Sequence, residues 1–100
     1  MKKKSDIVII GGGIWGLSTA YHLAREKTGQ SITLLERNEA VASETTKQAA
    51  GQIGQLRSDP LMVGAVNYTL NLLKSFEAST GHDPHFVQTG SLHLAHSEER

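Results

Sequence analysis

The chain has no cysteine. Disulfides, thiolate-held iron–sulfur clusters and thiol nucleophiles are therefore excluded. It has no net charge, with 10 basic residues against 10 acidic ones, which argues against nucleic acid as a partner. It also lacks a long apolar run. The longest, Ile7 to Leu17, contains four glycines and is too short to span a bilayer. No internal repeat or low-complexity linker is visible. The histidines His22, His82, His85, His93 and His96 do not fall in a metal-ligand spacing. His93 and His96 would point to opposite faces of a strand, so no metal site is expected. No nucleophile stands beside a paired base. At 100 residues the ceiling is one domain with a modest core.

The N-terminus, Met1-Lys2-Lys3-Lys4 followed by apolar residues, imitates a signal peptide. Asp6 and the glycines give that apolar run a better explanation as strand and turn. The lysines then read as a solvated leader, and the chain as cytoplasmic with no membrane span.

The informative stretch is Asp6–Arg37. Ile7-Val8-Ile9-Ile10 is a short, mostly β-branched run of the kind buried in a parallel sheet. Gly11-Gly12-Gly13-Ile14-Trp15-Gly16 follows and contains G-x-G-x-x-G at Gly11, Gly13 and Gly16. In such a motif the first glycine makes the tight turn, the second admits a pyrophosphate to the backbone, and the third lets helix and strand approach. A helix begins here, with Ile14, Leu17, Tyr21 and Ala24 at helical spacing and Gly16, Ala20 and Leu23 beside them. Arg25 and Lys27 suit its C-terminal end, and Gly29 is the expected cap. Ser31–Leu35 reads as a second strand ending on Glu36, 20 residues after Gly16. A carboxylate there accepts hydrogen bonds from ribose hydroxyls and disfavours a 2′-phosphate. The expectation is a Rossmann-like α/β unit, βαβ over residues 6–37, holding a dinucleotide with its phosphates at the helix N-terminus.

Residues 38–57 read as a loop entering a short helix. Ser43, Thr45 and Thr46 carry hydroxyls able to bond phosphate or cap a helical turn, and Ala49-Ala50-Gly51 is small enough to sit under a flat ring. On composition alone this is an ordinary surface loop. Asp59-Pro60 opens a helix with a capping acid and a proline at its first position. Met62, Val66, Leu70, Leu73 and Phe76 form its stripe, and Gly81 ends it, giving a helix over about residues 59–80. Residues 86–95 read as two short extended pieces around Thr89-Gly90, the start of a β-hairpin, with Leu92 and Leu94 alternating with His93.

The βαβ stretch, the Ser-Glu-Thr-Thr…Ala-Ala-Gly segment, the capped helix and the Thr-Gly-x-Leu-x-Leu piece together resemble the FAD-dependent amine and amino acid oxidoreductases of the D-amino acid oxidase-like superfamily. Glycine oxidase and sarcosine oxidase belong to it. The run Ala49–Arg57 looks most like the sarcosine and dimethylglycine dehydrogenase branch. The resemblance implies that Gly11, Gly12, Gly13, Ile14 and Gly16 line the FAD diphosphate and that Glu36 and Arg37 hold the adenosine ribose. It further implies that Ser43, Thr45 and Thr46 face the diphosphate and ribityl part, and that Ala49, Ala50 and Gly51 back the isoalloxazine ring. In that branch a histidine just before Ala-Ala-Gly anchors the flavin covalently; here the position is Gln48, so non-covalent FAD is expected.

Members of the family are several times longer, so this chain resembles an N-terminal portion that needs a later segment or a partner subunit. The implied reaction moves hydride from the carbon next to nitrogen in a small amine or amino acid to the flavin. Arg57 is the candidate for meeting a substrate carboxylate; no other catalytic residue is indicated. Two rival readings remain, an NAD-dependent dehydrogenase domain and a non-catalytic fragment or accessory subunit.

Overall fold

The computed structural model describes residues 4–97. The elements run β1 (Ile7–Ile10), α1 (Ile14–Arg25), β2 (Ile32–Leu35), α2 (Thr45–Gln48) and α3 (Pro60–Thr80). The chain divides into two compact units, Met1–Gly51 and Gln52–Arg100.

In the first unit β1 and β2 pair in parallel, with Ile7 opposite Ile32 and Ile10 opposite Leu35. Polar side chains at the strand starts pin this register. The Asp6 carboxylate accepts from the Ser31 N–H at 2.7 Å and from its hydroxyl at 2.8 Å, while the Ser5 hydroxyl donates to the Ser31 carbonyl at 2.9 Å. A one-residue slip would break all three bonds and turn every β2 side chain to the other face.

Strand alternation then sorts the apolar residues. Ile7 and Ile9 are half-buried, whereas Val8 and Ile10 are exposed. Ile9 lies under α1, where its Cγ2 would stand 3.3 Å from a Cβ placed on Gly16. Parallel sheets are normally covered on both faces; here Val8, Ile10 and Leu35 are 52, 86 and 48 % exposed.

Helix α1 turns Gly16, Leu17, Ala20, Tyr21 and Leu23 inward, while Ile14 and Ala24, expected on its apolar stripe, are exposed. It ends at Glu26 rather than at Gly29: Glu26 donates to the His22 carbonyl at 3.2 Å, and the positive-φ residue that follows is Lys27 (φ 49°). The chain leaves the helix on that lysine two positions earlier than a glycine cap would allow.

In the second unit α3 has the ends its sequence requires. The Asp59 carboxylate accepts from the Leu61 N–H at 2.8 Å, and Gly81, in the left-handed region at φ 76°, donates to the Glu77 carbonyl at 2.8 Å. Asp59→Ala should cost about 1 kcal/mol of stability, read as a lowered urea midpoint. Val63, Val66, Leu70, Leu72, Leu73 and Phe76 form the less exposed face, and Met62, 48 % exposed, drops off it. Leu70, at 7 % exposure, is the one buried hydrophobic side chain among the described residues. Leu70→Ala should therefore destabilise this unit by about 2–3 kcal/mol, checked by the same denaturant midpoint.

The strands expected at residues 86–95 are not formed. Residues 82–96 carry no helix or strand, and Val87, Leu92 and Leu94 are 76, 89 and 82 % exposed. Alternation is necessary for a half-buried strand, but a strand also needs a hydrogen-bonding neighbour. None of the described residues supplies one.

Candidate functional site

The site is built where β1 runs into α1. Gly11 leaves the strand at φ 103°, a conformation L side chains rarely adopt, and its N–H still donates to the Leu35 carbonyl at 2.8 Å. Gly16 is glycine for a different reason. A Cβ there would collide with the Gly11 carbonyl, so the first turn of α1 can sit on the strand exit only without a side chain at that position. Gly13 is the N-cap, extended at φ −76° and ψ −177°, with no side-chain cap bond of its own.

Oxygens from elsewhere meet the N–H groups of this turn. The Gly12 N–H donates to Glu36 Oε2 at 2.7 Å. The Ile14 N–H, the first of α1, donates to the Thr46 hydroxyl at 3.0 Å. Glu36 Oε1 accepts from the Asn38 N–H at 2.9 Å, and the Gly12 carbonyl accepts from the Ala42 N–H at 2.8 Å. Residues 38–46 thus fold back over the glycine turn. Their closure is completed by an exposed Arg37–Glu44 ion pair of 2.6 Å and by Asn38 Nδ2 donating to the Ser43 hydroxyl at 3.2 Å.

A cleft of about 120 Å³ opens between these groups, lined by Gly13, Glu36, Ser43, Thr45 and Thr46 together with Asn38 and Glu44. Five residues singled out from the sequence therefore share one wall. Asn38 and Glu44 were not singled out. Asn38 bonds Glu36 through its backbone N–H and Ser43 through its side-chain amide, contacts that no residue-type pattern announces; Glu44 stands inside the Ser-Glu-Thr-Thr cluster, whose hydroxyls drew the attention. Arg37 turns to Glu44 instead of the cleft. Gln48 closes α2, the short helix expected after the loop. Ala49, Ala50 and Gly51 are exposed, and Gly51 has φ 70°.

Arg57 lies in the second unit, where Nη1 donates to the Leu56 carbonyl at 2.8 Å. It lines a cavity of about 380 Å³ with Gln55, Leu70, Gln88 and His93.

The electrostatics follow from the hydrogen bonds. The backbone N–H of Asn38, and then that of Gly12, hold the Glu36 carboxyl below the ordinary value of 4.5. The Arg37 guanidinium lowers Glu44 and is itself raised by it. Both carboxylates are therefore charged at neutral pH. A carboxyl depressed in the folded state stabilises that state above its unfolded value, and the contribution is lost as pH falls through the folded one. The first unit should lose stability as pH drops below about 4.5, and Glu36→Gln should flatten that dependence in thermal melts between about pH 6 and 3.

The family model for FAD dependent oxidoreductases matches residues 6–100. The chain belongs to that family. Among its relatives, the mitochondrial pyruvate dehydrogenase phosphatase regulatory subunit of Mus musculus is 37 % identical over 98 residues, covering 97 % of this chain. Mitochondrial sarcosine dehydrogenase of Mus musculus is 36 % identical over 96 % of the chain. The 4-methylaminobutanoate oxidase (formaldehyde-forming) of Paenarthrobacter nicotinovorans is 36 % identical over 93 % of it. The chain spans about a tenth of the length of these relatives, 10 to 11 %. No solved structure matches. Two of the three names say mitochondrial, and none supports the cytoplasmic placement expected from the sequence. The two-stranded parallel sheet with its helices is consistent with an α/β portion of such a domain. Among the described residues, no helix is long and apolar enough to cross a membrane.

Proposed function

We propose that this chain is the FAD-binding N-terminal portion of a flavin-dependent oxidoreductase that oxidises an amine or amino acid. The observation that carries the proposal is the turn at Gly12–Ile14. Two N–H groups at the start of a helix each meet an oxygen acceptor, at 2.7 and 3.0 Å, and the cleft beside them is lined by three hydroxyls, the Glu36 carboxylate and the ion-paired Glu44. Such groups fit a diphosphate and a ribose: the N–H groups and hydroxyls donate to phosphate oxygens, and the carboxylate accepts from ribose hydroxyls.

On this reading Gly11, Gly12, Gly13, Ile14 and Gly16 line the diphosphate, and Ser43, Thr45 and Thr46 complete its cradle. Glu36 holds the adenosine ribose, with Arg37 beside it. Ala49, Ala50 and Gly51 back the isoalloxazine ring, and Gln48, lacking a nucleophilic nitrogen, leaves the flavin without a covalent link. Bound FAD would supply the chemistry, taking up hydride from the carbon next to the substrate nitrogen. The protein holds and orients. Arg57 is proposed to pair with a substrate carboxylate, so in the complete enzyme Arg57→Ala should raise KM about tenfold or more, and an unchanged KM would end that assignment. Support for the substrate class comes from the relatives whose names specify sarcosine and 4-methylaminobutanoate.

Equilibrium dialysis against FAD and NAD tests the proposal. Retention of FAD but not NAD, with the yellow colour released into the supernatant on acid precipitation, is the expected result. NAD retention in place of FAD would make the chain a nicotinamide-dependent dehydrogenase domain instead. A second reading, a non-catalytic accessory subunit, draws support from the relative named as a regulatory subunit. It predicts that FAD bound in the full assembly stays oxidised when amine substrates are added, and that the chain melts cooperatively only with its partner.

A further inference from the structure

The chain's own atoms occupy the N–H groups that the proposed cofactor needs, and the inference drawn from this rests on the FAD-binding reading. Glu36 takes the Gly12 N–H and Thr46 takes the Ile14 N–H, while the Gly12 carbonyl is tied to the Ala42 N–H. The segment also presses close: Val41 Cγ1 would lie 3.0 Å from a Cβ on Gly12. The cleft it leaves, about 120 Å³, is well below the roughly 300 Å³ at the small end of ligand pockets. Two carboxylates, Glu36 and Glu44, line it, and both are held ionised by their partners. A diphosphate approaching this closed cleft meets like charge and finds the N–H groups at Gly12 and Ile14 already bonded.

The closed form carries an internal opposing force. Ala42, whose N–H makes the bond to Gly12, sits at φ 56°, where an alanine is unfavourable by comparison with glycine. Two hydrogen bonds, Ile14 to Thr46 and Ala42 to Gly12, and the Arg37–Glu44 pair hold the segment down against that strain. Such a balance suits a segment that opens and closes rather than one fixed in place.

We infer that residues 38–48 form a latch over the glycine turn, and that the latch must let go of the Ile14 N–H and of the Gly12 carbonyl before a dinucleotide diphosphate can reach the N–H groups at the start of α1. Thr46 is the catch, exchanging its bond to Ile14 for one to the phosphate. Ala42 sets the ease of opening.

The two residues can be moved in opposite directions without altering charge. Thr46→Val removes the catch and should speed FAD association by roughly two- to tenfold. Ala42→Gly relaxes the closed form and should slow it by roughly fivefold. Stopped-flow quenching of flavin fluorescence on the full chain reads both rates. Amide exchange at Ile14, measured without cofactor, should be faster in Thr46→Val. Circular dichroism establishes that each variant is folded; if Thr46→Val is not, Ala42→Gly decides alone. Opposite shifts support the latch. FAD binding with unchanged rates in both variants overturns the latch and leaves the FAD reading standing. No FAD binding by the parent chain or either variant overturns both.

Discussion

Gly16→Val is expected to unfold the first unit, and Gly16→Ala to go most of the way. Any Cβ at position 16 meets the Gly11 carbonyl, with the Gly11 carbonyl carbon at 3.1 Å and Ile9 Cγ2 at 3.3 Å. The first two are backbone atoms of the strand exit, and they cannot swing aside as the end of a side chain would. Relief requires lifting α1 from the sheet, which removes the cover from Ile7 and Ile9. Overpacking usually costs about 1–3 kcal/mol, more when backbone must move. No hydrophobic side chain of this unit is fully buried, so little reserve stands against that cost. The control is Gly64→Ala in α3, where a Cβ meets nothing within 4 Å. It should stabilise by about 0.5–1 kcal/mol through helix propensity. Far-ultraviolet circular dichroism melts of the three variants and the parent check both. A Gly16→Ala melt indistinguishable from the parent would mean that α1 does not sit on β1 as described.

Gly13→Val is expected to do the reverse, abolishing FAD binding while the fold persists. Position 13 is extended, at φ −76° and ψ −177°, so an L side chain brings no backbone strain. A Cβ there meets only the Thr46 hydroxyl, at 3.4 Å, which is near ordinary contact. The fold should therefore accept valine. The proposed diphosphate should not, because the isopropyl group stands between it and the start of α1. FAD affinity should fall roughly hundredfold or more, the scale of losing several charge-assisted hydrogen bonds, with the melting curve shifted little. Retained FAD binding would remove the glycine turn from the site.

These two glycines also show which parts of the molecule were legible in the sequence. The β1 run, the turn and the start of α1 are local: strand, tight turn and helix follow one another within a few residues, and side-chain size at each position settles the packing. The ends of α3 are local in the same way, because Asp59, Pro60 and Gly81 act on their own neighbours. Other features depend on distant partners. Thr46 reaches Ile14 across 32 residues, and Glu36 reaches Gly12 across 24. The sequence and its family resemblance assigned both residues to the expected dinucleotide site but could not show that their oxygens bond to the glycine turn itself. Arg37 was expected at a ribose and pairs with Glu44, a partner seven residues on whose competition no motif includes. Alternation at Leu92 and Leu94 suggested a strand, yet pairing is a property of two segments, and the two pieces expected within residues 86–95 do not pair. The exposed face of β1 and β2 has the same origin: a run of Ile and Val reports a need for cover without supplying it.

The most direct test of the central claim is a titration of the isotope-labelled chain with FAD, followed residue by residue through its amide NMR signals. The account predicts saturable shifts at Gly12, Gly13 and Ile14, accompanied by Thr46 and by residues 36–44, with α3 undisturbed. No saturable shift at the glycine turn, or shifts confined to residues after Gly51, would contradict it.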